Sequence, residues 1–313
     1  MLSRRLLTSF VILFWAGTPS IAQLPKRVER CLPNPTLAQE IRDIQREVEP
    51  QKVTLHVARI EFNKSGAIPA EIQNEIRRKV EHSTYEEDAD SDYLREAADE
   101  IAEVGVRGPL QNRGYFKAQS NAVMTEIQKD SHEVSVAVNI SAEPGPQYRV
   151  GKIEIKAADP DKWLSLRPQA LRKELRLGEG EILNLDAIRG ALRKLTRIYG
   201  EFGFIDMTAA PDFTIDETQK TIDLTIRVDE QKQYYVNEVQ FLGADQKLEE
   251  KLKAAFPSSM WLFDSGRLED FFKNNKNILP SNVSLDDMEL HRNTKAGEVS
   301  IVFDFRPCPG RAK

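Results

Sequence analysis

One short motif occurs three times along the chain at nearly equal intervals, and it constrains the fold more than any other feature. Val57-Ala-Arg-Ile-Glu-Phe62 is echoed by Val150-Gly-Lys-Ile-Glu-Ile155 and by Val236-Asn-Glu-Val-Gln-Phe241, at spacings of 93 and 86 residues. Self-similarity at a fixed period means a stack of like units rather than one large domain. Each copy is apolar at its first, fourth and sixth positions. The fourth and sixth keep the two-residue period of a strand face. A second element recurs ahead of each next copy or of the chain end. Val134, Val136, Val138 and Ile140 alternate with polar residues, as do Ile222, Leu224, Ile226 and Val228, and then Val299, Ile301, Phe303 and Phe305. Strict alternation marks a strand with one covered face, and helices are the natural cover.

Helical patterns fill the intervals. Ile68, Ile72, Ile76 and Val80 recur every four residues, and a second helix is expected from Leu94 to about Val104. In the next unit Leu171 and Leu175 form a short helix that Gly178 and Gly180 end, and Asn184 caps a longer one carrying Leu185, Ile188, Leu192, Leu195 and Ile198. Leu248, Leu252 and Phe256, then Leu268, Phe271 and Phe272, supply the third pair. The expected fold class is α+β: three tandem β-α-α-β-β modules, each a three-stranded mixed sheet covered by two helices. The expected boundaries are 52–146, 147–232 and 233–306, with a tail at 307–313. Thr36 and Gln39 match a capping box, so a short helix within 23–51, ended by Pro50, is expected to cap the first module.

The amino terminus reads as an export signal over 1–22. Arg4 and Arg5 precede an apolar run from Leu6 to Ala16, and small residues stand at Ser20 and Ala22. The run is short for a membrane span, which needs about 20 apolar residues, although retention as an anchor stays open. Loss of Arg4 and Arg5 takes the formal charge from -5 to -7. Mild acidity argues against nucleic acid and against an anionic membrane surface as the main ligand. Two cysteines, Cys31 and Cys308, read in an exported chain as one disulfide, intramolecular or intermolecular.

Candidate catalysis is absent from the sequence. The four histidines at 56, 82, 132 and 291 are scattered, and no nucleophile-elbow, phosphate-loop or zinc-helix motif occurs. Asp88, Asp90 and Asp92 resemble a calcium loop only superficially: Tyr93 stands where glycine is needed and Asp99 where glutamate is needed, so a solvated loop is expected. Met260-Trp261-Leu262-Phe263 reads as core. No cofactor, metal or small-molecule substrate is expected.

The element order, together with Arg113-Gly114-Tyr115-Phe116 and Phe202-Gly203-Phe204 just before the second strand, resembles the POTRA domains of the outer-membrane assembly and two-partner secretion families. Gly114, Tyr115, Gly203 and Phe204 are the module signature in that resemblance. Glu143-Pro-Gly-Pro146 and Asp229-Glu-Gln-Lys232 fill the turn before the next module, the latter without its glycine. The third unit departs further, with Leu279-Pro-Ser281 in place of the Gly-aromatic pair. Such modules usually precede a membrane β-barrel. Here no series of barrel strands follows before Lys313, so a free-standing array or a partner of a barrel made by another chain is expected.

The resemblance implies a periplasmic or outer-membrane-associated polypeptide-binding array whose partner is a protein, either a barrel or an unfolded client. The alternative is a spacer that positions another periplasmic component. The third strand of each unit should be central and the second should lie at an edge. A partner strand could add at such an edge. Val123, Thr125 and Ile127 mark the better edge, because Pro211 interrupts its counterpart at 208–215. If the Thr125 N–H points outward, Thr125→Pro tests that edge.

Overall fold

A computed structural model describes residues 52–306 except 64–67, 82, 90–91, 257–261, 281–284 and 286–287. The expected export signal over 1–22 and the expected capping helix within 23–51, with Cys31, Cys308, Met260 and Trp261, lie outside the described residues.

The chain runs β1 (Lys52–Phe62), α1 (Ala70–Val80), β2 (Thr84–Asp88), α2 (Tyr93–Glu100), a π-helical turn (Ile101–Arg107), α3 (Gly108–Gln111), β3 (Gln119–Asp130) and β4 (Glu133–Glu143). It continues with β5 (Arg149–Ala157), α4 (Pro168–Glu174), α5 (Leu185–Glu201), β6 (Thr208–Asp216) and β7 (Thr221–Asp229). The last module holds β8 (Tyr235–Leu242), α6 (Gln246–Ala255), α7 (Ser265–Asn274), β9 (Met288–Asn293) and β10 (Glu298–Asp304).

These elements build three mixed sheets, ordered β2-β1-β4-β3, β5-β7-β6 and β8-β10-β9. In each, the first strand runs parallel to the central one and the hairpin partner runs antiparallel. The alternating strands are the central ones. Val134, Val136, Val138 and Ile140 are fully buried beneath α1 and α2, and Ile222, Leu224, Ile226 and Val228 lie beneath α4 and α5. Burying one such side chain contributes about 1.5–3 kcal/mol, so a one-residue register slip, which would turn four of them to solvent, is heavily disfavoured. Asn184 caps α5, its side chain accepting from the Ala187 N–H at 3.0 Å. The third core is aromatic instead: Phe241 stacks on Phe303 at 5.0 Å, with Phe256, Phe271 and Phe272 edge-on or tilted around them. Phe263 and Leu279 are buried in it.

The three-residue step between the first and fourth motif positions has a physical cause. In every sheet the first strand carries one extra residue relative to its parallel partner, between Val57 and Arg59, between Val150 and Ile153, and between Val236 and Glu238. A bulge lets Val57 and Ile60 both face the core, as do Val150 and Ile153. At the second bulge Asp223 accepts from the Lys152 N–H at 2.6 Å, and a side chain at Gly151 would collide with that carboxylate.

Two expectations need correction. The acidic stretch after His82 is not wholly a solvated loop: Thr84–Asp88 forms β2, antiparallel to β1 with Leu55 opposite Tyr85, so the first sheet has four strands. Tyr85 packs on the first core and holds the strand there. The second helix of the first module also does not end near Val104. It widens into the π-helical turn and resumes as α3. Pro109 has no N–H to offer the carbonyl four residues back, and a local π turn absorbs that loss.

Candidate functional site

β3 and β6 form sheet edges, as expected for the second strand of the first two modules. Which backbone groups they present follows from the bonds on the other side of the central strands. His132 and Ile140 give their carbonyls to the Thr54 and Asn63 N–H groups. Even-numbered residues of β4 therefore bond toward β1, and odd-numbered ones bond toward β3. Ala137 and Asn139 are odd, and they face Thr125 and Val123. The Thr125 N–H therefore points into the sheet. The outward groups of β3 belong to Ser120, Ala122, Met124 and Glu126, and among the described residues no backbone group outside the sheet takes them.

The structure places the three residues marked from the sequence differently from one another. Val123 and Thr125 lie exposed on the open face, while Ala122 and Met124 are buried under the helices. Ile127 is half exposed and has no partner in the ladder, because the register shifts between Glu126 and Gln128. That bulge ends the regular edge after Glu126.

The same reasoning explains Pro211. Lys220 and Val228 give their carbonyls to the Arg149 and Ala158 N–H groups, so even-numbered residues of β7 bond toward β5. Pro211 faces Ile226, an even position, so its nitrogen points away from the sheet. Proline at that place costs the ladder nothing and deletes one outward donor. Met124 faces Val138 in the same way and occupies the corresponding place in β3. The edge of β5 is partly covered, since Val150 exchanges bonds with Glu181 and Gly180 and the Ile153 N–H donates to Glu179.

The signature residues lie at the module junctions. Gly114 and Gly203 have φ of +85° and +82°, the left-handed region that favours glycine. The Gly114 carbonyl accepts from the Tyr148 N–H at 2.8 Å, and the Gly203 carbonyl accepts from the Tyr234 N–H at 2.9 Å. The Gln147 side-chain amide donates to the Arg113 carbonyl and that of Gln233 to the Phe202 carbonyl, at 2.8 and 2.9 Å. Each junction is thus the same clasp. Tyr115 packs on the first core, and Phe204 is buried in the second, edge-on to Tyr199.

Tyr148 and Tyr234, both buried, were missed from the sequence, although a Gln-Tyr pair precedes the repeated valine both times. The Tyr148 hydroxyl donates to Glu217 at 2.9 Å and that of Tyr234 to Asp206 at 2.7 Å. Lys117 pairs with Glu217, and Arg292 pairs with Asp206. Lys117 and Asp206 occupy matching places, three residues after Gly114 and Gly203, so the cross-junction ion pairs have opposite polarity. Hydrogen bonds from Lys117, Lys220 and Tyr148 pull the Glu217 carboxyl down to about 2.

This geometry defines a tandem array of strand-helix-helix-strand-strand modules, clasped end to end and open along selected sheet edges. Residues 148–231 match the POTRA family, described as a surface antigen variable number repeat. Over 148 residues the chain is 24% identical to the outer membrane protein assembly factor BamA of Buchnera aphidicola, covering 45% of this chain and 22% of that protein. Over 133 residues it is 22% identical to the BamA of Neorickettsia risticii, covering 42% and 17%. The chain therefore spans about a fifth of the length of these curated relatives. The crystal structure of Haemophilus influenzae BamA POTRA3-5 superposes with a TM-score of 0.56 at 17% identity, over 81% of this chain and 96% of that one. The fold is that of a POTRA array, as the sequence resemblance implied.

Proposed function

We propose that the chain is a periplasmic polypeptide-binding array that supports outer-membrane protein assembly or secretion, taking an extended segment of a client or barrel partner at the β3 edge. The carrying observation is the unguarded edge from Ser120 to Glu126, whose outward groups no other described backbone takes, beside a second module whose matching edge carries Pro211. An added strand would bond through main-chain groups, with Val123 and Thr125 lining its open-face side chains. The chemistry is docking, not catalysis. The array works in the periplasm or at the outer membrane, and the proposed modules are 52–146, 147–232 and 233–306. A spacer role is the second reading, favoured by the main-chain clasps at both junctions.

The test places a photocrosslinking residue at Val123 and compares capture in cells with and without Met124→Pro. That substitution removes an outward donor at the place where the second module already tolerates proline. Capture of an outer-membrane protein that falls at least tenfold in a folded Met124→Pro chain supports docking. Undiminished capture leaves the spacer reading. Thr125→Pro is unsuitable, because its N–H belongs to the ladder.

A further inference from the structure

We propose that the first module holds a second docking edge, the outer side of β2, which takes an extended segment of a partner protein carrying a lysine or arginine two residues from an apolar side chain. This edge lies at the opposite end of the sheet from β3, and it selects by charge.

The main-chain bonds of β1 fix which groups β2 presents. The Val57 N–H donates to the Ser83 carbonyl, whereas the Thr54 N–H turns the other way, to the His132 carbonyl. Odd-numbered residues at the start of β1 therefore bond toward β2, and Val53 and Leu55 face Glu87 and Tyr85. Glu87 and Tyr85 spend their N–H groups inside the sheet. Thr84 and Glu86 turn theirs outward, and among the described residues no backbone group takes them. The side chains of Tyr85 and Glu87 lie on the helix-covered side, because their partners Leu55 and Val53 are buried in the first core.

A groove of about 210 Å³ adjoins this edge on the helix side. It is lined by the apolar Val80, Tyr85, Val104 and Gly105, together with Lys79 and Glu100. Val104, in the π-helical turn, is 64% exposed. A cavity of about 150 Å³ accepts a benzene ring, so one apolar side chain fits. A strand added along β2 turns alternate side chains to this side. The one beside Tyr85 enters the groove. The one beside Glu87, two residues further along, meets Glu87, Glu96 and Glu100.

The surroundings are acidic. Residues 77–107 hold ten carboxylates against five bases. Three of the bases are engaged: Arg77 over the Phe62 ring, Arg95 with Asp92 and Asp99 at 3.3 and 3.2 Å, and Arg107 with Glu103. Arg95 also lies 4.0 Å from Glu96. Arg78 donates within its own helix to the Asn74 carbonyl, and Lys79 lines the groove. Across the sheet Lys52 stands opposite Asp88. Burial, and then the charges of Glu96, Glu100 and Asp88, push the Glu87 carboxyl up, with Lys52 opposing. A partner cation relieves that crowding. Carboxylates along an edge turn away acidic strands by like charge and admit a basic one.

The test is titration of the full chain with a synthetic peptide read by amide hydrogen exchange. Its core, Lys-Thr-Val-Thr-Lys, presents the pattern in either strand direction. The Thr84 and Glu86 amides should slow at saturation, binding should weaken with salt, and a peptide with both lysines changed to glutamate should not bind. Glu86→Pro removes an outward donor without touching the ladder, while Glu86→Gln removes the same charge and keeps the donor. The first should bind roughly tenfold more weakly than the second, the worth of about one main-chain hydrogen bond. Val104→Ser should also weaken binding. No binding, equal affinity of the two Glu86 variants, or protection at Met124 in place of Glu86 overturns the proposal. So does protection of Thr84 and Glu86 in the free chain. Independent of concentration, it would assign the edge to a segment of the chain itself; rising with concentration, it would assign the edge to a second copy.

Discussion

Replacing Gly114 by alanine should unfasten the first junction, and the structure supplies both the magnitude and the control. A β-carbon at Gly114 would lie 2.7 Å from the Tyr148 carbonyl oxygen and 2.9 Å from the Ile182 methyl. The oxygen is main chain and cannot swing aside, so the next module must move. Gly180 has nearly the same φ, +83°, but a β-carbon there meets nothing within 4 Å. Both substitutions incur the left-handed penalty of about 1–2 kcal/mol. Only Gly114→Ala adds overpacking, about 1–3 kcal/mol, and it puts at risk the Tyr148-to-Gly114 bond and the Gln147-to-Arg113 bond, worth about 1 kcal/mol each. The difference between the two variants should be at least about 1.4 kcal/mol, or tenfold in the opening equilibrium. Hydrogen exchange read at the Tyr148 and Leu183 amides measures it, because the first donates across the junction and the second donates to the Tyr148 carbonyl. Exchange at Tyr148 in Gly114→Ala should be at least tenfold faster than in Gly180→Ala. Equal exchange in the two variants would refute the claim that backbone contact, rather than glycine conformation alone, holds the modules together.

Pro211→Thr should restore the missing outward donor of β6, and a crosslinker at Ala210 should then capture partners that the native chain does not; silence at that edge would show that proline is not what guards it. Lys117→Ala should loosen the first junction by up to about 1 kcal/mol, the ceiling for such exposed pairs, and the loss should shrink in a Glu217→Gln background; an undiminished loss there would remove the ion pair from the account. Glu217 is held at about 2 when folded, below its ordinary value of 4.5. Its stabilising contribution is therefore complete above pH 4.5 and is lost as pH falls through about 2. Tyr148 amide protection should weaken across that window in the native chain but not in Glu217→Gln.

Much of this fold was legible because the repeats disclose it three times. The alternating runs around Val134, Ile222 and Val299 could be nothing but half-covered strands, and each proves central. β2 was hidden because Thr84–Asp88 carries only Tyr85 as an apolar residue among acids, and a strand that needs one anchoring side chain leaves almost no periodic trace. The bulges were visible as a three-residue step, yet only the register shows why the step exists. Edge direction was beyond reach. Side-chain alternation says which face a residue covers, but the destination of its N–H depends on which neighbours the strand acquires. For that reason the sequence marks Val123, Thr125 and Ile127 as an edge while the direction of the Thr125 N–H stays conditional. The clasp tyrosines escaped because a tyrosine ahead of a strand looks like any other aromatic until the preceding module is set against it.

The junction clasp has a consequence for how such a chain can vary. Its central bond at each joint runs between main-chain atoms, from a tyrosine amide to a glycine carbonyl, and repeats at both joints with nearly the same length. The angle at which one module follows another is therefore inherited with the path of the backbone rather than with surface chemistry. Side chains around the joint can differ, and even the polarity of the flanking ion pair is reversed between Lys117–Glu217 and Asp206–Arg292, while the main-chain bond of the clasp is the same. Shape and surface are decoupled, so the outer faces of the array are free to specialise separately on a frame that keeps their spacing constant.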